Sequence, residues 1–436
     1  MVANNSANKQ HPNVVFILTD DLGWGDLSID GQQNYTTPHL DQLAKEGIRF
    51  SQAYSASPVC TPTRVSLFTG RYPGKLAIGN YEPLLGFKQI GDRIGLPPEH
   101  PTIASLLKAN GYETALIGKW HCGYLPTYSP LKSGFDIFFG NFSGAIDYFR
   151  HVDTSGEPDL WEAEVPTQEI GYITDIFSDR AVDFIKKPHQ KPFYLSLHYT
   201  APHWPWEGPE DIELSKALIG QDNLPNWINT GTAESYAAVM QSLDYGVGKV
   251  LKAINDAGIA DNTIVIFASD NGGDKYSNFG VFQGKKGNLY EGGIRVPTFI
   301  RWPEVIQPNQ ITNQVIITHD ITATILAATN TNPDPNYPLD GENLLPIIKG
   351  EIPAYSRTLF WRHKGIDTPV LPPKVRQSAV RSEDWKYLKY GENEYLFHLA
   401  NDAQEENDLK EKHPDIFEQL RSKSQTWESE LVPYPN

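Results

Sequence analysis

Four apolar runs constrain this chain more than any other feature: "NVVFILT" (13–19), "ETALIG" (113–118), "PFYLSLHY" (192–199) and "NTIVIFAS" (262–269). Their apolar residues sit at consecutive positions. A strand covered on both faces has that pattern, whereas one with a wet face alternates. Segments of helical period lie between them. "TPHLDQLAKEG" opens with Thr37 as a cap and Pro38 in the first turn and stops at Gly47, and "TIASLLKANG" stops at Gly111. "TDIFSDRAVDFIKK" (174–187) and the long segment 233–258 are amphipathic at helical period. Strands alternating with helices imply a mostly parallel sheet covered on both faces. After about residue 350 the helical period fades, and "TLFWRH", "SAVRSEDWKYLKYG" and "EYLFHL" read as short antiparallel strands. The expected fold is α/β. A large mixed, mostly parallel sheet sandwiched by helices occupies 12–350, and a smaller antiparallel subdomain with a closing helix near 412–431 occupies 351–436.

Each apolar run is followed by residues that carry chemistry: Asp20-Asp21, Lys119-Trp120-His121, Ala201-Pro202-His203 and Asp270-Asn271. Open α/β sheets bind ligands beyond the carboxyl ends of their strands, so topology alone brings these groups to one edge. Taken singly, an Asp after a strand is usually a cap or turn residue, and a His beside a Trp is usually packed. Four such endings in a row make coincidence the weaker account. Asp20, Asp21 and Asp270 would repel one another and push their pKa values up unless a cation relieved them. With the Asn271 amide they form an all-oxygen donor set, which suits calcium or, second, magnesium and not zinc.

Composition removes several function classes. With 37 basic and 53 acidic residues the net charge is −16, which argues against nucleic acid, whose binding wants a basic footprint. Two cysteines cannot build a disulfide framework. No apolar run approaches a membrane span. The opening "MVANNSANKQHPN" is polar, with no signal-peptide core. It suits a periplasmic or secreted protein whose leader has been removed; a cytosolic protein is the alternative.

Cys60 sits at the mouth of a helical run, "CTPTRVSLFTG", where free N–H groups and the dipole favour an anion. A thiolate fits such a place but matches a hard, oxygen-liganded cation poorly. Cys60-x-Pro62-x-Arg64 followed by "TGRYP" resembles the signature of the type I, formylglycine-dependent sulfatases of the alkaline phosphatase superfamily. "VVFILTDDLGWGD", "GKWH", "TAPHWP", "FASDNGG" and "GKKGNLYEGGIRVP" resemble that family's remaining motifs in order, over roughly residues 12 to 410. The resemblance implies an alkaline-phosphatase-like fold and oxidation of Cys60 to formylglycine by a maturation enzyme. It further implies that Asp20, Asp21, Asp270, Asn271 and residue 60 hold calcium, with one hydroxyl of the hydrated aldehyde on the ion attacking sulfur. Arg64 and Lys119 would hold the diol. His203 and Lys286 would contact the sulfate and protonate the leaving oxygen, and His121 would take the proton of the second hydroxyl. In the adjacent pair, Lys286 is in register and Lys285 is a solvated neighbour. Cys122 reads as a buried filler, and His319 as structural.

The family implies the reaction better than the substrate. Trp204 and Trp206 follow the histidine, and Arg150 and His151 lie in "AIDYFRHVD", a loop expected at the same edge. Indole faces and cationic groups of this kind suit a sulfated carbohydrate. Packing at the domain junction explains each aromatic equally well. The alternatives are a phosphonate monoester or phosphodiester hydrolase with the same modified frame, or a carbohydrate-binding relative with an unconverted site.

Overall fold

The structure, a computed structural model, describes residues 11–221, 224–365 and 375–435. The polar stub at 1–10, which prompted the leader expectation, lies outside the described residues. Ten strands form one sheet: β1 (Asn13–Thr19), β2 (Ile48–Tyr54), β3 (Glu113–Lys119), β4 (Ile137–Asn141), β5 (Trp161–Glu162), β6 (Val165–Pro166), β7 (Phe193–His198), β8 (Thr263–Ser269), β9 (Thr298–Arg301) and β10 (Gln310–Ile317). Their spatial order is β10-β2-β9-β8-β1-β7-β3-β4-β5-β6. The four apolar runs are therefore the contiguous centre of the sheet, β8-β1-β7-β3, paired in parallel throughout. The sheet is mixed because β9 runs antiparallel to β2 and β8, and β5 and β6 fold back beside β4.

Both faces of the centre are covered, which is why apolar residues stand at consecutive positions in these runs. Alternate side chains enter two different cores. Val15, Ile17, Leu195, Leu197, Val265 and Phe267 pack beneath the helices Ile173–Lys186 and Ala233–Asp256. Val14, Phe16, Leu18, Leu116, Ile264 and Ile266 pack beneath Cys60–Thr69, Ile103–Ala109 and Thr318–Ala328. Each such fully buried side chain stabilises the fold by about 1.5–3 kcal/mol. β2 and β10 escaped the sequence pattern because polar residues interrupt them: Arg49, Ser51 and Gln52 in one, and Gln310, Thr312, Asn313 and Gln314 in the other. Thr37 precedes the helix Pro38–Lys45 but does not cap it; its hydroxyl turns to the Asp41 carboxylate, 3.0 Å away.

The second sheet follows residue 350. β11 (Thr358–His363), β12 (Gln377–Ser382), β13 (Trp385–Tyr390) and β14 (Asn393–His398) pair antiparallel in that order. The helix Pro414–Ser429 covers it through Ile416, Phe417 and Leu420.

Candidate active site and metal pocket

The site follows from the register of the central strands. Thr19 pairs with Ser269, so Asp20-Asp21 and Asp270-Asn271 leave β1 and β8 side by side. Backbone and side chains then interlock. The Asp21 N–H donates to Asp270 Oδ1 (3.2 Å), and Asn271 Nδ2 donates to Asp21 Oδ1 (2.7 Å). Asp21 adopts a left-handed backbone, φ 66°, a conformation that costs a non-glycine residue energy and concentrates at functional sites. All four residues are buried, yet Asp20 Oδ1 and Asn271 Oδ1 have no hydrogen-bond partner. Buried polar atoms are almost always paired, so two orphaned oxygens in one cluster fit a cation site.

Electrostatics argue the same way. Burial, reinforced by the Asp20 charge, pushes the Asp270 carboxyl up to about 7, and burial pushes Asp21 up to about 6. Burial opposes the Asp20 charge as well, but the surrounding cations, Lys119 foremost, outweigh it and hold that carboxyl far below its ordinary range. Each carboxylate has its own cation. Lys119 Nζ lies 2.5 Å from Asp20 Oδ2, and Lys286 Nζ lies 2.7 Å from Asp21 Oδ2. Arg64 forks onto Asp270 Oδ2 through Nε and Nη2 at 3.1 and 3.0 Å. Its remaining arm, Nη1, donates to the Lys119 carbonyl and to His198 Nδ1. Potential ligand atoms of Asp20, Cys60 and Asp270 lie within 4.8 Å of one another, as do those of Asp20, Asp21 and His203.

Cys60 opens the helix Cys60–Thr69, where no side chain caps Val59. Its thiol is buried, and burial raises its pKa more than Lys119 and Lys286 lower it. The unmodified side chain is thus a protonated thiol and a weak nucleophile. Cys122 is likewise raised by burial and packs among apolar residues.

The two histidines are held in defined tautomers. His121 Nε2 lies 2.9 Å from the Leu84 carbonyl, which can only accept, so Nε2 carries the proton. Nδ1 is left as a buried acceptor without a partner. Burial, with Lys119 nearby, holds this ring neutral. In His203 the roles reverse: Nδ1 donates to the Trp204 carbonyl at 2.6 Å, and Nε2 faces Asp21 Oδ2 at 3.6 Å. Burial and Lys286 keep His203 neutral too.

Cys60, His121, His203 and Lys286 line one cavity of about 200 Å3, with Trp204 in its wall. Asp20, Arg64, Lys119 and Asp270 lie fully buried around it. Lys285 turns away, pairing with Asp274 at 3.1 Å. The structure places only Trp204, of the four expected substrate contacts, at the cavity. Trp206 is core: its Nε1 donates to the Pro202 carbonyl and its ring meets Tyr276 edge-on. Arg150 is folded onto Asp147, Nε to Oδ2 2.8 Å, because that carboxylate also collects the Phe149 and Arg150 amides and pins the loop. His151 is buried against the Gly171 carbonyl. Sequence reasoning missed Leu84, Ser143 and Gly144, which also line the cavity. Leu84 acts through its carbonyl and Gly144 through its lack of a side chain, and neither leaves a residue-type signal.

Comparison with known proteins identifies the family. The sulfatase family model matches residues 12–331, and the model described as N-sulphoglucosamine sulphohydrolase, C-terminal, matches 278–429. Human N-acetylgalactosamine-6-sulfatase is 33% identical over 387 residues, 82% of this chain and 69% of that one. Mouse steryl-sulfatase is 29% identical over 78% of this chain and 65% of its own length. Among solved structures, Ps i-CgsB in complex with k-i-k-neocarrahexaose superposes with a TM-score of 0.85 at 31% identity, covering 98% of this chain and 94% of that one. The chain belongs to the sulfatase family, enzymes that hydrolyse sulfate esters.

Proposed function

We propose that this sulfatase removes sulfate from a carbohydrate, using formylglycine made from Cys60 by a maturation enzyme and a calcium ion held by Asp20, Asp21, Asp270 and Asn271. The carrying observation is the pair of buried, unpartnered oxygens, Asp20 Oδ1 and Asn271 Oδ1, beside a cysteine whose thiol is unsuited to attack. When present, formylglycine supplies an oxygen nucleophile and the divalent ion lowers its pKa. Sγ of the unconverted Cys60 stands in for that oxygen.

The protein groups divide the remaining work. Arg64 and Lys119 stand 3.8 and 2.5 Å from Asp20 Oδ2 and would offset charge that develops at residue 60. Carboxylates engaged by a divalent ion would leave the Lys286 and Lys119 charges to the sulfate. His121 Nδ1, unpaired and unprotonated, is the base that removes a proton from residue 60. Burial and Lys286 hold His203 neutral, but an anionic ester beside Nε2 favours the imidazolium and readies it as the acid for the leaving oxygen. Burial lowers the Lys286 pKa, but the surrounding anionic groups, Asp21 foremost, outweigh it and raise the ammonium above its ordinary range, so it stays charged and holds sulfate.

A carbohydrate is supported by Trp204 in the cavity wall and by the oligosaccharide complex of the structural relative. The testing experiment is a screen for liberated sulfate on sulfated oligosaccharides, an aryl sulfate and a phosphodiester, with intact mass on the same sample. Conversion of Cys60 shifts the mass by about −18 Da. Turnover of the phosphodiester alone, or a retained thiol with binding and no turnover, overturns the proposal. An extracytoplasmic site of action belongs to the same proposal, because it accords with a polysaccharide substrate.

A further inference from the structure

A second cavity, of about 390 Å3, lies beside the first. Ser143 belongs to both walls, and two loops pass along both: one contributes Leu84 and Gln89 to the first and Phe87 to the second, the other Ser155 to the first and Asp153 to the second. Its lining is aromatic. Phe87 meets Tyr124 edge-on at 5.6 Å, and Phe142 meets Trp161 edge-on at 5.4 Å. Phe87 is 52% exposed, and Leu85 on the same loop, in the wall of the first cavity, is 43% exposed, so the two leave an apolar strip along both cavities.

The charges differ from those of the first cavity. Lys88 is cationic, but its ammonium lies 3.1 Å from Glu157 Oε1 and also bonds the Ser155 carbonyl, tying the two loops together. Asp153 and Asp159 then leave the lining with negative charge. Burial pushes Asp159 up only to about 6, so it is ionised at neutral pH. Asp159 is engaged by the Phe142 and Ser143 amides, the Ser143 hydroxyl and the Trp161 indole, so it contributes charge and fixes the aromatic wall; that wall suits the apolar face of a sugar ring. A second sulfate there would meet like charge in a partly desolvated space.

We propose that this cavity seats an unsulfated sugar ring, the neighbour of the sulfate-bearing ring in the first cavity; the inference rests on the carbohydrate reading of that first cavity. The sulfated ring is thus chosen by the cations around Cys60, and its neighbour by aromatic stacking and rejection of negative charge.

Three probes test it: a sulfated monosaccharide, a disaccharide adding an unsulfated ring, and the same disaccharide with that ring sulfated. Sulfate release is measured with the converted enzyme, and calorimetric binding with Cys60→Ala, or Cys60→Ser should the first not fold. The singly sulfated disaccharide is expected to exceed both other probes in kcat/KM and in affinity by about tenfold. Phe87→Ala, at an exposed position, should lower the disaccharide-to-monosaccharide ratio about fivefold. Glu157→Lys should close most of the gap between the two disaccharides by adding positive charge. Equal preference for all three probes, or preference for the doubly sulfated one, overturns the inference. Absent turnover with the binding order intact sinks the first-cavity chemistry and leaves the subsite standing. Turnover without any order does the reverse, and neither turnover nor binding sinks both.

Discussion

Gly144→Ala isolates the role of His121 by steric means alone. A Cβ at position 144 would stand 2.4 Å from His121 Cε1, 2.7 Å from Nε2 and 3.2 Å from Nδ1, whereas ordinary contact begins near 3.4 Å. The ring must therefore retreat by about 1 Å, the difference between 3.4 and 2.4 Å. Gly144 has no positive φ, so alanine adds no backbone strain of its own. His121 has little room to yield, being held at φ 52° and by the 2.9 Å bond to the Leu84 carbonyl. Overpacking of this kind costs about 1–3 kcal/mol of stability. A base displaced by that distance loses about 10²-fold in rate. The assay is kcat/KM on any accepted sulfate ester, paired with the melting temperature from calorimetry. A rate within about twofold of wild type would show that His121 needs no such placement, and would refute its assignment as the base.

Dialysis against a calcium chelator should lower the melting temperature and abolish sulfate release, with calcium restoring both; an unaffected protein would exclude a cation at Asp20 and Asn271. Burial lowers the His319 pKa to about 3, so the unfolded chain takes up a proton near 6.5 that the folded chain refuses, and stability falls as pH drops below 6.5. From pH 6.5 to 5 the loss is about 2 kcal/mol, and His319→Gln should remove that part of the slope in urea unfolding. Lys386 lies buried between Glu291 and Glu405, at 2.9 and 2.8 Å, and joins β13 to the segment that follows Lys286. Lys386→Met should cost about 3–5 kcal/mol. The loss should grow as pH rises above about 4.5, because the unfolded chain ionises both carboxylates there while the folded chain, already holding Glu405 up to about 7, resists. A pH-independent loss would mean that the carboxylates had found other partners.

Much of the architecture was legible in local pattern. Runs of consecutive apolar residues between helical segments imply strands covered on both faces, and their endings bring Asp20, His121, His203 and Asp270 to one sheet edge. The choice of Lys286 over Lys285 was likewise available from the motif, and the structure sets them at 3% exposure and in partial exposure respectively. Strands β2, β4, β9 and β10 were not legible, because short or polar-interrupted strands owe their form to neighbours already in place.

The sequence by itself determined which chemistry gathers at the sheet edge, since side-chain period and strand endings are properties of adjacent residues. Only the tertiary structure decided which nearby candidate faces the cavity. Trp204 reaches it and Trp206 does not, and Arg150 is spent on Asp147. The pairing of each carboxylate with its own cation, the free nitrogen of His121 and the space left by Gly144 were settled there as well. These depend on partners up to hundreds of residues away in the chain, and a side chain's direction is set by the lowest-energy arrangement of all of them together.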